Sequence, residues 1–449
     1  MTGRSSGSGR SVCAAARGSV RLRPVEERME EGMRVAYDVR AVREQFPALR
    51  REQDGRPVVY LDGPGGSQVA RQAMDAMLGY MEGGGANLHG AFATSVETEE
   101  MISCCRREVA AFLNAAPEEV VFGQNMTTLT FALSRALARG WGAGDAVVVT
   151  ELDHRANVDP WLLAARERGA GTRWVRVDTR TLTLQPEDVE RAVDGAAVLV
   201  AVGLASNAVG TVNDVSAIAE RAHAAGAVVA VDAVHAAPHM PLDREALGAD
   251  ILTCSAYKFF GPHVGIAVVR RELLERLQPY KVQPAPDGIP ERLETGTQNH
   301  EGIAGVRGAL EFVASLGRGA ALRERLVSGM AAIEAHEAAL AAELRAALRE
   351  VPDLTLYAAP EGVPKTPTFA FRLGNLSPRE VCVRLAREGI FAADGDFYAS
   401  TLAERLGVRD SGGLVRVGLA PYNTREEMQR LLQALAGLSR GRTSRASGV

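Results

Sequence analysis

The chain has 449 residues, of which 46% are hydrophobic and 24% charged, and its 51 basic and 55 acidic side chains give a formal net charge of -4. This length allows a large buried core, and the near balance of charge gives no general attraction to nucleic acid or to an anionic membrane. No apolar run approaches the roughly 18 residues that cross a bilayer, no secretory leader is visible, and the five cysteines have no regular spacing, so we expect a cytoplasmic protein with reduced thiols, no metal site and a small-molecule ligand.

The two ends of the chain differ in composition from the rest. Residues 1–35 are rich in Ser, Gly and Arg, and residues 439–449 have the same character. Such segments bury too little apolar surface to fold, so we expect a disordered extension at each end. Residues 36–60 are expected to form an N-terminal segment that packs on a small C-terminal domain.

The region from about residue 105 to 270 alternates short apolar runs with longer amphipathic segments. The runs are EEVVFG, DAVVVT, TRWVRV, AAVLVAVGLA, AVVAVDA, DILTCSA and VGIAVV, and the segments between them include TLTFALSRALARG and VSAIAERAHAAG. Alternation of this kind is typical of a parallel sheet covered by helices on both faces. We therefore predict an α/β three-layer sandwich with a mostly parallel sheet, within a large domain over residues 61–300.

After residue 300 the pattern changes to long helical periodicity, from AGVRGALEFVASLG to ALAAELRAALREV. Two strand-like runs, LTLYAA and TPTFAFRL, then precede a helix SPREVCVRLAREG, a strand LVRVGLA and a closing helix TREEMQRLLQALAGL. This order predicts a smaller α+β domain over residues 301–438.

Polar side chains follow the predicted strands at the ends where ligands of open α/β sheets bind. An Asn or His after a strand is more often a turn or capping residue than a ligand contact, and a single Lys in a loop is usually solvated. A carboxylate, a lysine, imidazoles and the N-terminus of a helix nevertheless all fall at the strand ends of one sheet. These residues are Asn125, Met126, Thr127, His154, Asn207, Asp232, His235, Ser255 and Lys258.

Pyridoxal 5'-phosphate (PLP) requires this combination of groups. A lysine amine joins the aldehyde as a Schiff base, a carboxylate keeps the pyridine nitrogen protonated, and a helix N-terminus supplies donors to the phosphate. Lys258 and Asp232 are the candidates for the first two tasks, and the helix that begins near Asn125 is the candidate for the third.

The segments VDAVHAAPH and SAYKFFGPHVG resemble the cofactor-binding core of the class V aminotransferase superfamily, in particular its cysteine desulfurase-like branch, which has PLP fold type I. The resemblance covers about residues 36–438 and includes YLDGPGGSQV, ANLHG, SNAVGT, ETGTQNHEGIAG and VRVGLAPYNT. It implies that Lys258 holds the cofactor and moves the substrate's α-proton, that Asp232 pairs with the ring nitrogen, and that His154 stacks on the ring.

The same resemblance implies roles for further residues. Asn207 and His235 would lie near the phenolic oxygen, and Arg416 would bind the substrate carboxylate, with Asn207 and His89 also near the substrate. Phosphate contacts would come from Asn125, Met126, Thr127, Ser255 and Tyr257, and from Thr297 reaching across a homodimer to the partner's cofactor.

The sequence departs from the desulfurase pattern where a mobile cysteine is expected shortly before the arginine strand. That region is FAADGDFYAST, with Asp396, Phe397 and Tyr398 and no thiol, and Cys254 and Cys382 lie in a predicted strand and helix. We therefore expect PLP chemistry at the α-carbon of an L-amino acid without a persulfide, as a lyase, an aminotransferase or an epimerase. A non-catalytic scaffold or regulatory protein of the same fold is the alternative from another class.

Overall fold

The structure, a computed structural model, describes residues 37–440. Long helices cluster in the segment after residue 300, as the sequence pattern predicts. The helices span Val39–Glu44, Arg71–Glu82, Ala93–Leu113, Met126–Leu137, Asp159–Arg168, Pro186–Ala192, Val215–Ala224, Arg271–Arg276, His300–Leu316, Leu322–Arg349, Pro378–Arg387, Ser400–Arg405 and Arg425–Arg440.

The strands follow the apolar runs of the sequence. In chain order they are β1 Glu52–Gln53, β2 Arg56–Pro57, β3 Val59–Tyr60, β4 Val120–Gly123, β5 Ala146–Thr150, β6 Gly171–Val175, β7 Val177–Asp178, β8 Thr183–Leu184, β9 Ala197–Gly203, β10 Val228–Asp232, β11 Ile251–Ser255, β12 Gly265–Val269, β13 Leu354–Tyr357, β14 Thr368–Leu373, β15 Ile390–Phe391, β16 Ala393–Gly395 and β17 Leu414–Gly418.

The main sheet has seven strands in the order β4-β12-β11-β10-β9-β5-β6. Neighbouring residues of one strand enter different cores: Val148 packs into one apolar cluster, whereas Val147 and Val149 pack into another. A strand buried on both faces must be apolar at successive positions, which is why these runs are nearly continuous in the sequence. The prediction of a mostly parallel sheet between two helical layers is confirmed.

Strand β12 is the exception in direction, because it runs antiparallel to both β11 and β4. It passes close to the start of the helix Met126–Leu137, and a Cβ on Gly265 would lie 2.3 Å from the backbone carbon of Asn125. No side chain fits at that distance, so glycine is required for this approach. The close contact fixes the helix N-terminus beside the end of β11.

The smaller sheet has four antiparallel strands in the order β13-β14-β17-β16 and its own apolar cluster. Residues 37–60 contact both regions: Val59 packs into the smaller cluster beside β15, whereas Phe46 packs edge-on against Phe260 and Phe312 in the main core. The helix His300–Leu316 also packs into the main core. The domain boundaries at residues 60 and 300 therefore stay predictions, and the predicted extensions at 1–35 and 439–449 lie outside the described residues except for 439 and 440.

Across residues 37–440, no helix combines the length and the apolar character needed to cross a membrane.

Candidate active site

A cavity of about 890 Å³ opens at the carboxyl ends of the parallel strands, beside the edge of the smaller sheet. Open α/β sheets bind their ligands at these strand ends. All but two of the predicted site residues line the cavity. The predicted residues that line the cavity are Asn125, Met126, Thr127, His154, Asn207, Asp232, His235, Ser255, Tyr257, Lys258 and Arg416.

Lys258 lies in the single turn that follows β11, and its side chain is buried. Its Nζ donates hydrogen bonds to the carbonyl oxygens of Pro64 at 2.5 Å and Gly65 at 3.1 Å. Burial, with help from the nearby Arg416 cation and against the effect of Asp232, lowers the pKa of Lys258 to about 7. Near neutral pH a substantial fraction of this amine is therefore unprotonated, which is the form that attacks an aldehyde.

Asp232 ends the neighbouring strand β10 and is also buried. Its Oδ1 accepts a hydrogen bond from the N–H of Val234 at 2.8 Å. Burial raises the pKa of Asp232 to about 6, although the Val234 hydrogen bond and the Lys258 charge both act to lower it. A buried carboxylate of this kind is stabilised by a cationic partner, which a protonated ring nitrogen would provide.

The helix Met126–Leu137 begins at the wall of the cavity. Asn125 is its N-cap, because its side-chain oxygen accepts from the N–H of Thr128 at 2.9 Å. The Met126 N–H donates to Ser255 Oγ at 3.0 Å, and Thr127 lines the cavity in the same turn. The first N–H groups of a helix have no partner within the helix and attract anions, so this end of the cavity suits a phosphate group.

His154 follows β5, and its Nδ1 accepts from the N–H of Ala156 at 3.0 Å. Burial and the nearby cations lower the pKa of His154 to about 4, so its ring is neutral at physiological pH. The preceding residue, Asp153, was missed by the sequence reasoning. Both of its carboxylate oxygens lie 2.9 Å from the Gly203 nitrogen, Oδ2 accepts from Asn157 Nδ2, and burial raises its pKa to about 7. Its position at a strand end, next to His154, was the available signal.

Arg416 reaches the cavity from β17 of the smaller sheet, and its side chain is buried. Its Nη1 donates to the backbone oxygen of Asn207 at 2.7 Å, and the ring of Phe397 lies over the guanidinium, 4.0 Å from Cζ to the ring centroid. Among residues 37–440, the Nε of Arg416 has no hydrogen-bond partner. Burial lowers the pKa of Arg416 to about 10, with Asp62 acting to raise it, so the guanidinium remains charged.

His235 and Tyr257 also line the cavity. The Nε2 of His235 is within hydrogen-bond distance of Thr366 Oγ1 and Thr368 Oγ1, whereas its buried Nδ1 has no partner in the described part of the chain. The ring of Tyr257 stacks on His263 with 4.9 Å between centroids and an interplanar angle of 12°. His263 also lines the cavity but has no strand-end signal in the sequence, because it lies in the turn before β12.

His89 and Thr297 are the two predicted residues that do not line the cavity. His89 is exposed, with its Nδ1 3.3 Å from Glu99 Oε1, and Thr297 is exposed in the segment before the helix His300–Leu316. The prediction that His89 lies near the substrate stays a prediction. Thr297 was predicted to act on a partner subunit, and that role stays a prediction.

No cysteine in residues 37–440 lines the cavity. Cys254 is fully buried in β11, as predicted, and burial raises the pKa of its thiol far above the usual range. Burial also raises the pKa of Cys382 to about 12. Neither thiol is poised to form the thiolate that a reactive cysteine needs.

The fold is that of PLP fold type I, the fold of the cysteine desulfurase structures that this chain resembles. The family model for class-V aminotransferases matches residues 59–431, and the chain belongs to that family. A cysteine desulfurase of Enterobacter sp. (strain 638) is 33% identical over 423 residues, which cover 89% of this chain and 98% of the relative.

Two solved structures are similar to this chain over most of its length. The apo structure of a cysteine desulfurase from Thermococcus onnurineus NA1 has a TM-score of 0.80 and 26% identity, and it covers 90% of this chain and 98% of its own. The cysteine desulfurase CsdA of Escherichia coli has a TM-score of 0.76 and 26% identity, covering 89% and 98% respectively. Membership of the cysteine desulfurase-like branch is thus confirmed.

Proposed function

We propose that this chain binds PLP through Lys258 and acts on the α-carbon of an L-amino acid by a route that uses no cysteine. The observation that carries the proposal is the composition of the cavity: the Lys258 amine, the Asp232 carboxylate and the Arg416 guanidinium line the same space, and no cysteine of residues 37–440 does.

The residues of the cavity fit the cofactor. The helix start at Met126 offers an anion-binding end, Asp232 is a buried carboxylate without an ion-pair partner among the described side chains, and Lys258 has a pKa near 7. Buried polar atoms without a partner among residues 37–440 also belong to cavity-lining side chains, namely His235 Nδ1 and Asn207 Oδ1. Buried polar atoms are normally hydrogen-bonded, so these atoms support the presence of a polar ligand.

When bound, PLP withdraws electrons from the α-carbon of the amino acid that is joined to it. The protein groups then have separate tasks. Arg416 would bind the α-carboxylate, for which a planar guanidinium is suited. Lys258 Nζ would take the proton from the α-carbon and return it, Asp232 would hold the ring nitrogen protonated, and His154, being neutral, would pack against the ring without competing for that proton.

The destination of the α-proton and the fate of the side chain distinguish elimination, transamination and epimerisation. The discriminating experiment incubates the holoprotein with a panel of L-amino acids and measures sulfide, keto acid and inverted substrate in the same samples, while recording absorbance near the Schiff-base band. We expect at least one amino acid to change the band and yield one of these products. A band that no amino acid changes would instead support the non-catalytic alternative.

We further propose that the chain forms a homodimer. Four large apolar side chains are exposed on or beside two helices that meet through a hydrogen-bond contact between Tyr80 Oη and Thr98 Oγ1. Large apolar side chains left exposed close together are typical of interaction surfaces. The four exposed side chains are Leu78, Met81, Phe92 and Val96. Light scattering of the purified protein tests this: a monomer at micromolar concentration contradicts it, and Met81→Asp is expected to weaken the dimer.

A further inference from the structure

The loop that replaces the expected cysteine carries two consecutive aromatic residues in an uncommon backbone conformation. Phe397 has a φ of 56° and Tyr398 a φ of 58°. Bulky L-residues seldom adopt the left-handed region, because their Cβ crowds the backbone, and such residues tend to cluster at functional sites. Both residues line the cavity.

Neighbouring groups hold this conformation in place from several directions. Asp396 Oδ1 accepts from the Tyr398 N–H at 3.0 Å, and the N–H of Arg155 donates to the Tyr398 oxygen at 2.8 Å. Asn207 Nδ2 donates to the oxygen of Phe397, also at 2.8 Å. The backbone of the loop is thus tied to residues that follow strands of the main sheet.

The two rings lie against the groups assigned to the substrate carboxylate and to the cofactor ring. Phe397 covers one face of the Arg416 guanidinium, and Tyr398 stacks on His154 with 5.4 Å between centroids and an interplanar angle of 28°. Phe397 is half-buried, whereas Tyr398 is 71% exposed. Because Tyr398 lines the cavity and is mostly exposed, much of its ring surface is free to contact a ligand.

We propose that Phe397 and Tyr398 form the contact surface for the substrate side chain, and that the preferred substrate is an L-amino acid with a large apolar or aromatic side chain. This inference rests on the proposed function, since it takes Arg416 as the group that binds the carboxylate. The side chain of an amino acid begins two bonds from its carboxylate carbon. A substrate held by Arg416 therefore presents its side chain close to the rings that flank this arginine.

The chemistry of this wall favours apolar over small or charged side chains. Aromatic rings gain contact area and edge-to-face or stacked geometry from a second apolar group, whereas a charged side chain would lose hydration against them. Asp394 and Asp396, which also line the cavity, add negative charge next to the wall and disfavour acidic substrates. A small side chain would leave the two rings uncovered.

The test measures binding of two unreactive carboxylates, 3-phenylpropanoate and propanoate, to the full-length holoprotein by calorimetry, together with kcat/KM for L-phenylalanine, L-leucine and L-alanine. We expect 3-phenylpropanoate to bind at least about tenfold more tightly, and Tyr398→Ala to reduce that preference roughly threefold to tenfold. Because Tyr398 is mostly exposed, its replacement leaves the core intact. Phe397→Leu, which keeps an apolar side chain, is expected to retain part of the preference.

Tyr280→Ala is the matched control, because Tyr280 is 59% exposed, lies under the Arg139 guanidinium at 4.5 Å and does not line the cavity. It should change neither affinity. Equal affinities for the two carboxylates, or an undiminished preference in Tyr398→Ala, would contradict the proposal that Phe397 and Tyr398 contact the substrate side chain. If the cofactor band at Lys258 still responds to amino acids in that case, the proposed function stands, whereas a protein with no such band fails on both counts.

Discussion

The strand ends of the parallel sheet and the loop 394–398 line the same cavity but are built differently. Lys258 and Asp232 are each 9% exposed, one just after the buried strand β11 and the other at the end of β10, whereas Tyr398 is 71% exposed in a left-handed conformation. The sheet edge holds the groups that PLP chemistry requires. The loop lacks the cysteine expected from the desulfurase resemblance. Under the proposals above, the strand ends supply the groups for the α-carbon chemistry, and the loop contacts the substrate side chain.

The largest effect is expected from Lys258→Ala. Loss of the amine removes both the attachment point and the α-proton acceptor, so the Schiff-base absorbance should disappear and turnover should fall by about 10²–10⁴-fold or more. Lys365→Ala is the matched control, because burial also lowers the pKa of Lys365 to about 7 but this lysine lies outside the cavity. Loss of the absorbance in Lys365→Ala as well would contradict the assignment of Lys258 as the attachment point.

Asp232→Asn tests the second group of the sheet edge. An amide cannot balance a cationic ring nitrogen, so turnover should fall by about 10²–10³-fold while Lys258 still takes up the cofactor. Steady-state kinetics beside the absorbance spectrum separates the two properties. Asp214→Asn, at an exposed helix cap, should leave both unchanged. Full activity of Asp232→Asn would contradict the pairing of this carboxylate with the ring.

Arg416→Lys tests the group that lies between the two regions. An ammonium replaces bidentate contact by a point charge, so KM for amino acids should rise by about tenfold or more while kcat changes less. Arg372→Lys on the adjacent strand β14 is the control, since Arg372 contacts Ser411 near the surface. An unchanged KM in Arg416→Lys would place the carboxylate elsewhere.

The sequence predicted the sheet edge well because buried strands impose a recognisable pattern. Apolar runs such as AVVVT end where the chain meets solvent, and the polar residues that follow them converge by topology alone, which brought Lys258, Asp232 and His154 together. The antiparallel direction of β12 left no such signal, since antiparallel and parallel buried strands have the same apolar character. The close contact of Gly265 with the Asn125 backbone could not be predicted either, because it depends on tertiary packing.

The other side of the site was less predictable for a different physical reason. The conformation of residues 396–398 depends on hydrogen bonds from Asn207 and Arg155, which are distant in the chain. The stacking of Tyr398 on His154 and of Tyr257 on His263 likewise follows from three-dimensional packing, not from any periodicity. His89 was predicted from a loop motif without a strand to fix its direction; it is exposed beside Glu99, and its role near the substrate stays a prediction.

The pH dependence of PLP uptake tests the lowered pKa of Lys258. Burial lowers the pKa of Lys258 from 10.5 to about 7, so in the folded apoprotein the amine is neutral above about pH 7, whereas in the unfolded chain it stays protonated up to about pH 10.5. PLP uptake, trapped with borohydride, should therefore rise about tenfold per pH unit up to about pH 7 and then level off.

The lowered pKa of Lys258 also makes the free energy of unfolding depend on pH. Between about pH 7 and 10.5 the unfolded state binds more protons at this residue, so its contribution to the free energy of unfolding increases with pH across that window and is lost as pH falls through 7. Comparing apoprotein and Lys258→Met by urea unfolding at pH 7 and 9 isolates the effect. An uptake rate that keeps rising to pH 10 would contradict the lowered pKa.

The smallest effect concerns the scaffold that positions the helix N-terminus. A methyl group at Gly265 would meet the Asn125 backbone, so Gly265→Ala should lower the free energy of unfolding by about 1–3 kcal/mol and weaken cofactor binding. Gly437→Ala is the opposite control, because it lies in the helix Arg425–Arg440 with open space around it and should stabilise by about 0.5–1 kcal/mol. Urea titration of both variants measures the difference.

Lys258 is proposed to supply the one amine that is joined to PLP in this cavity. Borohydride reduction of the purified holoprotein followed by peptide mass mapping tests it directly, because reduction makes the link permanent. The account predicts a single phosphopyridoxyl-modified peptide that contains Lys258 and none that contains Lys365. A coloured protein whose modification maps to another lysine, or a protein that takes up no PLP at any pH between 6 and 9, would contradict it.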